Sequence, residues 1–179
     1  MANYSYTEIT FTGELIDIEF AVIELKSNME DEWLNVSKYI TNASDVVQRS
    51  GYSPAEVIQF DYEDGSDTIY LSLSGRWCSP HKYIEDLCKR HNLSGTYADE
   101  ESGCDFFHEM KFENGKKVHD KESAFFSEES IRVNGIERYI EEYQFITEEE
   151  DWENENDGMI KLFKKYGYNL DDLKKVWGL

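Results

Sequence analysis

From Tyr4 to Thr12 the chain alternates: Thr7, Ile9 and Phe11 fall on one side, and Tyr4, Tyr6, Glu8, Thr10 and Thr12 on the other. A period of two is what a half-buried strand requires, and Gly13 ends it. From Glu14 to about Met29 the apolar positions Leu15, Ile18, Ala21, Val22 and Leu25 recur every three or four residues, which predicts an amphipathic helix. Between Asp31 and Ser53 the apolar Trp33, Leu34, Val36, Tyr39 and Ile40 are interrupted by Asn42, Ser44, Gly51 and Ser53-Pro54, so an irregular connection is expected. Two strands, Ala55 to Tyr62 and Asp67 to Ser74, follow around the polar turn Glu63-Asp64-Gly65-Ser66.

Ser79-Pro80 then opens a second helix, with Ser79 as the cap and Pro80 at the first position, where a missing N–H costs little. Its apolar face is Tyr83, Ile84, Leu87 and Cys88. Strand patterns return at Gly95 to Asp99 and Asp105 to Glu113, and Asn114-Gly115 is a hairpin turn into Lys116 to Phe126. The order strand, helix, two strands, helix, strand, with further strands behind it, predicts an α+β fold: a ferredoxin-like split βαβ antiparallel sheet with extra strands and a helical C-terminal region.

After Ser127 the pattern becomes helical through Ile131, Ile136, Tyr139, Ile140 and Tyr143, and then runs into Glu148 to Asp157. Two short helical patterns, Met159 to Tyr166 and Leu170 to Trp177, are separated by Gly167, a helix-stop residue. Residues 1–126 are therefore read as the ferredoxin-like domain, and 127–179 as an acidic helical region packed on or beside it.

Charge changes this picture most. Thirty-eight acidic residues stand against 18 basic ones, a net charge of −20 over 179 residues. Such a field repels DNA and RNA, whose binding depends on Lys and Arg displacing phosphate counterions, and attracts a basic protein surface. Aromatics at 15% argue against a disordered acidic chain. Three cysteines and the absence of an N-terminal basic and apolar leader or a membrane span fit a cytoplasmic protein.

Met1-Ala2-Asn3 leading into a strand that ends Thr12-Gly13, the segment Trp77-Cys78-Ser79-Pro80 before a helix, Tyr97 through Glu101 with Gly103, and the turn Asn114-Gly115 together resemble the YubB or Api-like family of plasmid and phage proteins. The resemblance spans roughly residues 1–117, with Tyr4-Ser5 where the family usually has Trp-Cys. It implies a ferredoxin-like domain and a mobile-element origin. It carries over no catalytic residues.

Candidate chemistry is sparse. Cys78, His81, Cys88 and His91 are the types that hold zinc, but His81 and Cys88 lie seven residues apart on one helix, about 10 Å at 1.5 Å per residue, too far to share a metal. Cys104 and His108 would stand about 13 Å apart along a strand, too far for a nucleophile and its base. The loop Asp61 to Gly65 lacks the spacing of a calcium-binding EF-hand, and no glycine-rich phosphate loop occurs. No enzyme activity, metal or cofactor is expected.

What remains is acidic clustering. Asp99 to Glu101, Glu128-Glu129, Glu141-Glu142 and Glu148 to Asp157 are the candidate runs, each of which taken alone reads as a solvated face. The segment after Ser127 carries Glu128, Glu129, Glu141, Glu142, Glu148, Glu149, Glu150, Asp151, Trp152, Glu153, Glu155 and Asp157, interleaved with Tyr139, Tyr143 and Phe145. Carboxylates among aromatic anchors can occupy a basic protein surface in place of a nucleic acid. The expected function is a phage- or plasmid-encoded acidic inhibitor of a host defence nuclease, anti-CRISPR or anti-restriction in type. It would bind through protein contacts to a basic nucleic-acid-binding surface, with no nucleic acid or membrane as its own partner. The alternative is a non-catalytic ferredoxin-like module for a small molecule or peptide, with Trp77 and Tyr97 lining a groove.

Overall fold

The computed structural model describes residues 4–42, 44–45, 50–76, 79–101, 106–125, 127–136 and 163–168. The chain divides into two compact units, 1–122 and 123–179, each taken by itself below.

The alternating segment forms β1 (Tyr4–Thr12), and the three-to-four spacing forms α1 (Leu15–Asn28). A short hairpin, β2 (Met29–Glu30) and β3 (Trp33–Leu34), turned at Asp31 with φ +55°, leads into the stretch read as irregular, which also holds one 3-10 turn at Ser37–Tyr39. Two-residue strands are too short for a periodic pattern to reveal. Then come β4 (Ala55–Asp61), β5 (Thr68–Arg76), α2 (His81–Arg90), β6 (Ser94–Glu101), β7 (Phe106–Glu113) and β8 (Lys116–Ser123). Asn114 and Gly115, at φ +46° and +74°, make the two-residue turn of the last hairpin, where both central residues need positive φ.

These strands form one eight-stranded sheet in the order β2-β3-β4-β5-β1-β6-β7-β8. Neighbours pair antiparallel from β2 through β7. The fold is therefore mixed α and β on an antiparallel sheet. Both helices cover one face of it. Ile18, Ala21, Val22 and Leu25 of α1 and Tyr83, Ile84, Leu87 and Cys88 of α2 share one core with Ile9, Phe11, Ile69, Leu71, Leu73, Tyr97, Met110 and Phe112. Each aliphatic or aromatic side chain so buried stabilises the unit by about 1.5–3 kcal/mol before the entropy of ordering is counted. Leu15, assigned to this apolar face from its spacing, is instead largely exposed, because it lies at the first turn beyond the edge of the sheet-facing stripe.

The start of α2 differs from the capping scheme read from the sequence. Pro80 is the N-cap and no side chain caps the helix. Ser79 is fully buried and spends its hydroxyl on Tyr97 instead.

In the second unit, α3 (Glu128–Asn134) starts with a reciprocal capping box between Ser127 and Ser130. A helical turn at 163–165 ends at Gly167, φ +87°. There the Tyr168 N–H bonds the Phe163 carbonyl and the Gly167 N–H bonds the Lys164 carbonyl, the paired closure of a glycine C-cap.

Candidate functional site

Because side chains alternate along strands, register determines which residues share a face. One row on the face away from the helices runs Trp33, Glu56, Ser74, Tyr6 across β3, β4, β5 and β1. The next rows place Gln59, Ser72 and Glu8 together, then Asp61, Tyr70 and Thr10. A bulge between Val57 and Gln59 pushes Ile58 outward. Tyr6 is 55% and Trp33 46% exposed, and Tyr4 stands open beside them. Burial and the neighbouring Glu8 carboxylate hold the Tyr70 phenol above its ordinary value. The result is an open sheet face of aromatic rings among Glu8, Glu56 and Asp61, with Arg76 at its border opposite Tyr4.

The helix-covered face becomes polar at one end. Its row Val57, Leu73, Thr7, Asp99, His108 starts apolar and finishes with three hydrogen-bonding side chains. Asp99 is only 3% exposed, and Thr7 Oγ1 donates to its Oδ1 at 3.0 Å. Burial pushes the Asp99 carboxyl up to about 6, against hydrogen bonds from Thr7, Ser79 and Tyr97 that favour its charged form. The His108 ring lies edge-on to Tyr97 at 5.5 Å and to His81 at 6.0 Å, and its Nε2 is 2.7 Å from Asp120 Oδ1. Burial, and then the nearby His108, keep His81 below the usual histidine range. Lys117 bridges Asp120 at 2.5 Å and Glu85 at 3.0 Å, tying α2 to β8.

This corrects two readings. Asp99, Glu100 and Glu101, taken as a solvated acidic run, are all buried: consecutive residues of β6 face opposite sides of the sheet, and both sides are covered there. Tyr97 lines no open groove. It is fully buried under α2, and Trp77 lies outside the described residues.

A third cluster joins α1 to α2. Glu24 accepts from Arg90 at 2.5 Å, lies 2.8 Å from His91 Nε2, and receives the Tyr39 hydroxyl at 3.3 Å. Arg90 stacks over the rings of Tyr39 and Tyr83, both of which take hydrogen bonds from the buried Asn28 amide. Burial raises the Glu24 carboxyl, but the bonds from Arg90 and His91 outweigh it and leave the group below its ordinary 4.5. Glu24→Gln is therefore expected to cost about 1–3 kcal/mol at neutral pH by taking the charged acceptor from Arg90 and His91. A depressed carboxylate contributes stability above its unfolded value and loses it as pH falls through its lowered folded value. Thermal melts of the two proteins should thus converge in acid; a gap that stays constant with pH would show that the carboxylate's charge is not what matters.

Of the acids singled out in the C-terminal region, Glu128 lies at the first turn of α3 and is neutralised by Lys165 at 2.6 Å, both side chains being 58% exposed. Such an exposed pair contributes little to stability. Glu129 follows it in α3. Glu141, Glu142, Glu148, Glu149, Glu150, Asp151, Trp152, Glu153, Glu155 and Asp157 lie outside the described residues, as do Cys78 and Cys104. Cys88 is buried in the core, which pushes its thiol up to about 12, and His91 is engaged by Glu24. Among the described residues no three His, Cys, Asp or Glu side chains are grouped to hold a metal ion, and no helix is long and apolar enough to cross a membrane.

The aromatic side of the sheet was half legible in sequence. The alternation of β1 places Tyr4, Tyr6 and Glu8 together, but nothing local indicates that Trp33, Glu56, Tyr70 and Asp61 join them. Comparison of the chain with known protein families, with curated proteins and with solved structures found no match.

Proposed function

We propose that this protein is a non-catalytic acidic inhibitor, encoded by a phage or plasmid, that binds the basic nucleic-acid-binding surface of a host defence nuclease of the CRISPR or restriction type. The observation that carries the reading is the open sheet face, where Trp33, Tyr4, Tyr6 and Tyr70 are exposed or half-buried among Glu8, Glu56 and Asp61. Aromatic rings supply rigid contact area, and the surrounding carboxylates meet lysines and arginines that otherwise hold phosphates. The net charge of −20 speeds encounter with such a surface and repels nucleic acid itself.

The fold supports the same reading at a finer level. The order β1-α1-β4-β5-α2-β6, with β5 and β1 set between β4 and β6, fits a ferredoxin-like split βαβ unit to which β2-β3 and β7-β8 add flanking strands. In that reading the helices occupy one face of the sheet, and on the other the side chains of β3, β4, β5 and β1 stay open to a partner while Glu100, Phe107 and Glu109 of β6 and β7 are buried. The mobile-element origin rests on the resemblance of residues 1–117 to the YubB or Api-like family.

Loading of target DNA onto an RNA-guided nuclease and onto a restriction endonuclease, measured with and without the purified protein, tests the proposal. Stoichiometric protein should block loading, less so at high salt. Tyr6→Ala with Trp33→Ala, or Glu8→Lys with Glu56→Lys, should weaken the block by at least about tenfold, or about 1.4 kcal/mol. Unimpeded loading on both nucleases, or equal potency of the face variants, would sink the proposal.

A further inference from the structure

α1 is apolar on two opposite sides. At 3.6 residues per turn, its buried residues Ile18, Ala21, Val22 and Leu25 lie on one side, and Ile16, Phe20 and Ile23 lie on the other, spaced i, i+4, i+7. These three are 55%, 53% and 63% exposed. A helix at a protein surface ordinarily carries polar residues there, and one that is apolar all round is a buried helix. Single exposed hydrophobic residues need no explanation, but a contiguous row at the spacing of helix-docking anchors does.

The charges beside the row indicate what covers it. Asp17 and Glu19 border its N-terminal half, one on each side, and Lys26 is the one cation that α1 carries. A second copy of this chain would bring like borders together and oppose one −20 molecule to another. A helix whose own apolar row is bordered by lysine or arginine meets both the rings and the carboxylates, in the way that flanking charges select partners in packed helix pairs.

We infer that the outer row of α1, Ile16, Phe20 and Ile23, is a docking surface for a basic amphipathic helix of a partner protein. It is a second surface, distinct from the open sheet face, and it rests on the proposed function only in taking the partner to be basic.

The probe is a fluorescent amphipathic Leu/Lys peptide of about 14 residues, long enough for three to four helical turns. Its control is a scrambled peptide of the same composition whose leucines share no face. Both are titrated with the full-length protein at about 150 mM and about 500 mM salt. The amphipathic peptide should bind at least about tenfold tighter than the scrambled one, and the preference should survive high salt. Ile16→Ser/Phe20→Ser/Ile23→Ser should lose that preference with an unchanged melting temperature, whereas Tyr6→Ala/Trp33→Ala should retain it.

Equal binding of the two peptides would show charge alone at work and overturn the inference. So would retained preference in the α1 variant, or a lowered melting temperature in it, which would mean that the row is covered within this chain. A dimer in sedimentation that the α1 variant dissociates would assign the row to a second copy. The two proposals fail separately: nuclease loading unaffected by a protein that still prefers the amphipathic peptide removes only the proposed function, and blocked loading without a peptide preference removes only the α1 surface.

Discussion

Gly95→Ala is expected to destabilise the first unit by about 3 kcal/mol or more, a large part of the roughly 5–15 kcal/mol that holds a typical domain together. Gly95 sits in β6 opposite Phe11 of β1 and Phe112 of β7. A Cβ added there would overlap the Thr10 carbonyl oxygen and press on the Phe11 Cα at 3.2 Å. The obstruction is backbone, so no rotamer change relieves it. β1 is paired along both edges, with β5 and with β6, and cannot retreat without breaking one ladder. Gly65→Ala is the informative control: its φ of +85° costs an L-residue about 1–2 kcal/mol, but no atom lies within 4 Å of the new methyl. Urea unfolding should therefore give a markedly lower midpoint for Gly95→Ala than for Gly65→Ala, with similar slopes. Equal midpoints would mean that β6 does not approach β1 this closely.

The second large effect is a pH dependence that Asp99→Asn should abolish. The Asp99 carboxyl rises from 3.8 in the unfolded chain to about 6 in the folded protein because burial penalises its charge. A raised carboxyl binds its proton more tightly when folded, so its contribution to stability is fully present below 3.8 and is lost as pH rises through about 6. At about 1.36 kcal/mol per unit the difference is about 3 kcal/mol. Asparagine cannot titrate, and its carbonyl still accepts from Thr7. The stability of the wild type minus that of Asp99→Asn should therefore fall by about 2.4 kcal/mol between pH 4 and pH 7 and level off above. A difference that is flat, or that rises with pH, would contradict the assignment. Following the Asp99 carboxyl carbon by NMR should give a midpoint near 6.

Both effects arise where the local pattern said least. Gly95 read only as the start of a strand, and nothing in its neighbours announces that Thr10, 85 positions earlier, closes on it. Asp99-Glu100-Glu101 looked like any other acidic run, since three consecutive carboxylates are usually solvated. They are buried because both faces of the sheet are covered where β6 runs between β1 and β7. By contrast, the Ala55 to Tyr62 and Asp67 to Ser74 hairpin, the Asn114-Gly115 turn and the apolar face of α2 were legible, because each depends on residues a few positions apart.

The candidate surfaces divide in the same way. The exposed side of β1 could be read from its alternation, and Ile16, Phe20 and Ile23 are visible as a second helical spacing once the inward side of α1 is known. The inward side itself was read correctly from the spacing of Ile18, Ala21, Val22 and Leu25. The C-terminal acids were conspicuous in composition, yet Glu128 is paired with Lys165 across 37 positions of chain.

By itself, the sequence determined the strands and helices long enough to show a period, the turns that need positive φ, and the net charge of −20. These are local or summed properties, independent of which distant residues meet. Only the tertiary structure decided the strand order, the row that joins Trp33, Glu56 and Tyr6 into one open face, and the burial of Asp99 against Thr7, Ser79 and Tyr97. Each of these follows from pairing between distant strands, and register between such strands is a property of the packed sheet and of no single segment.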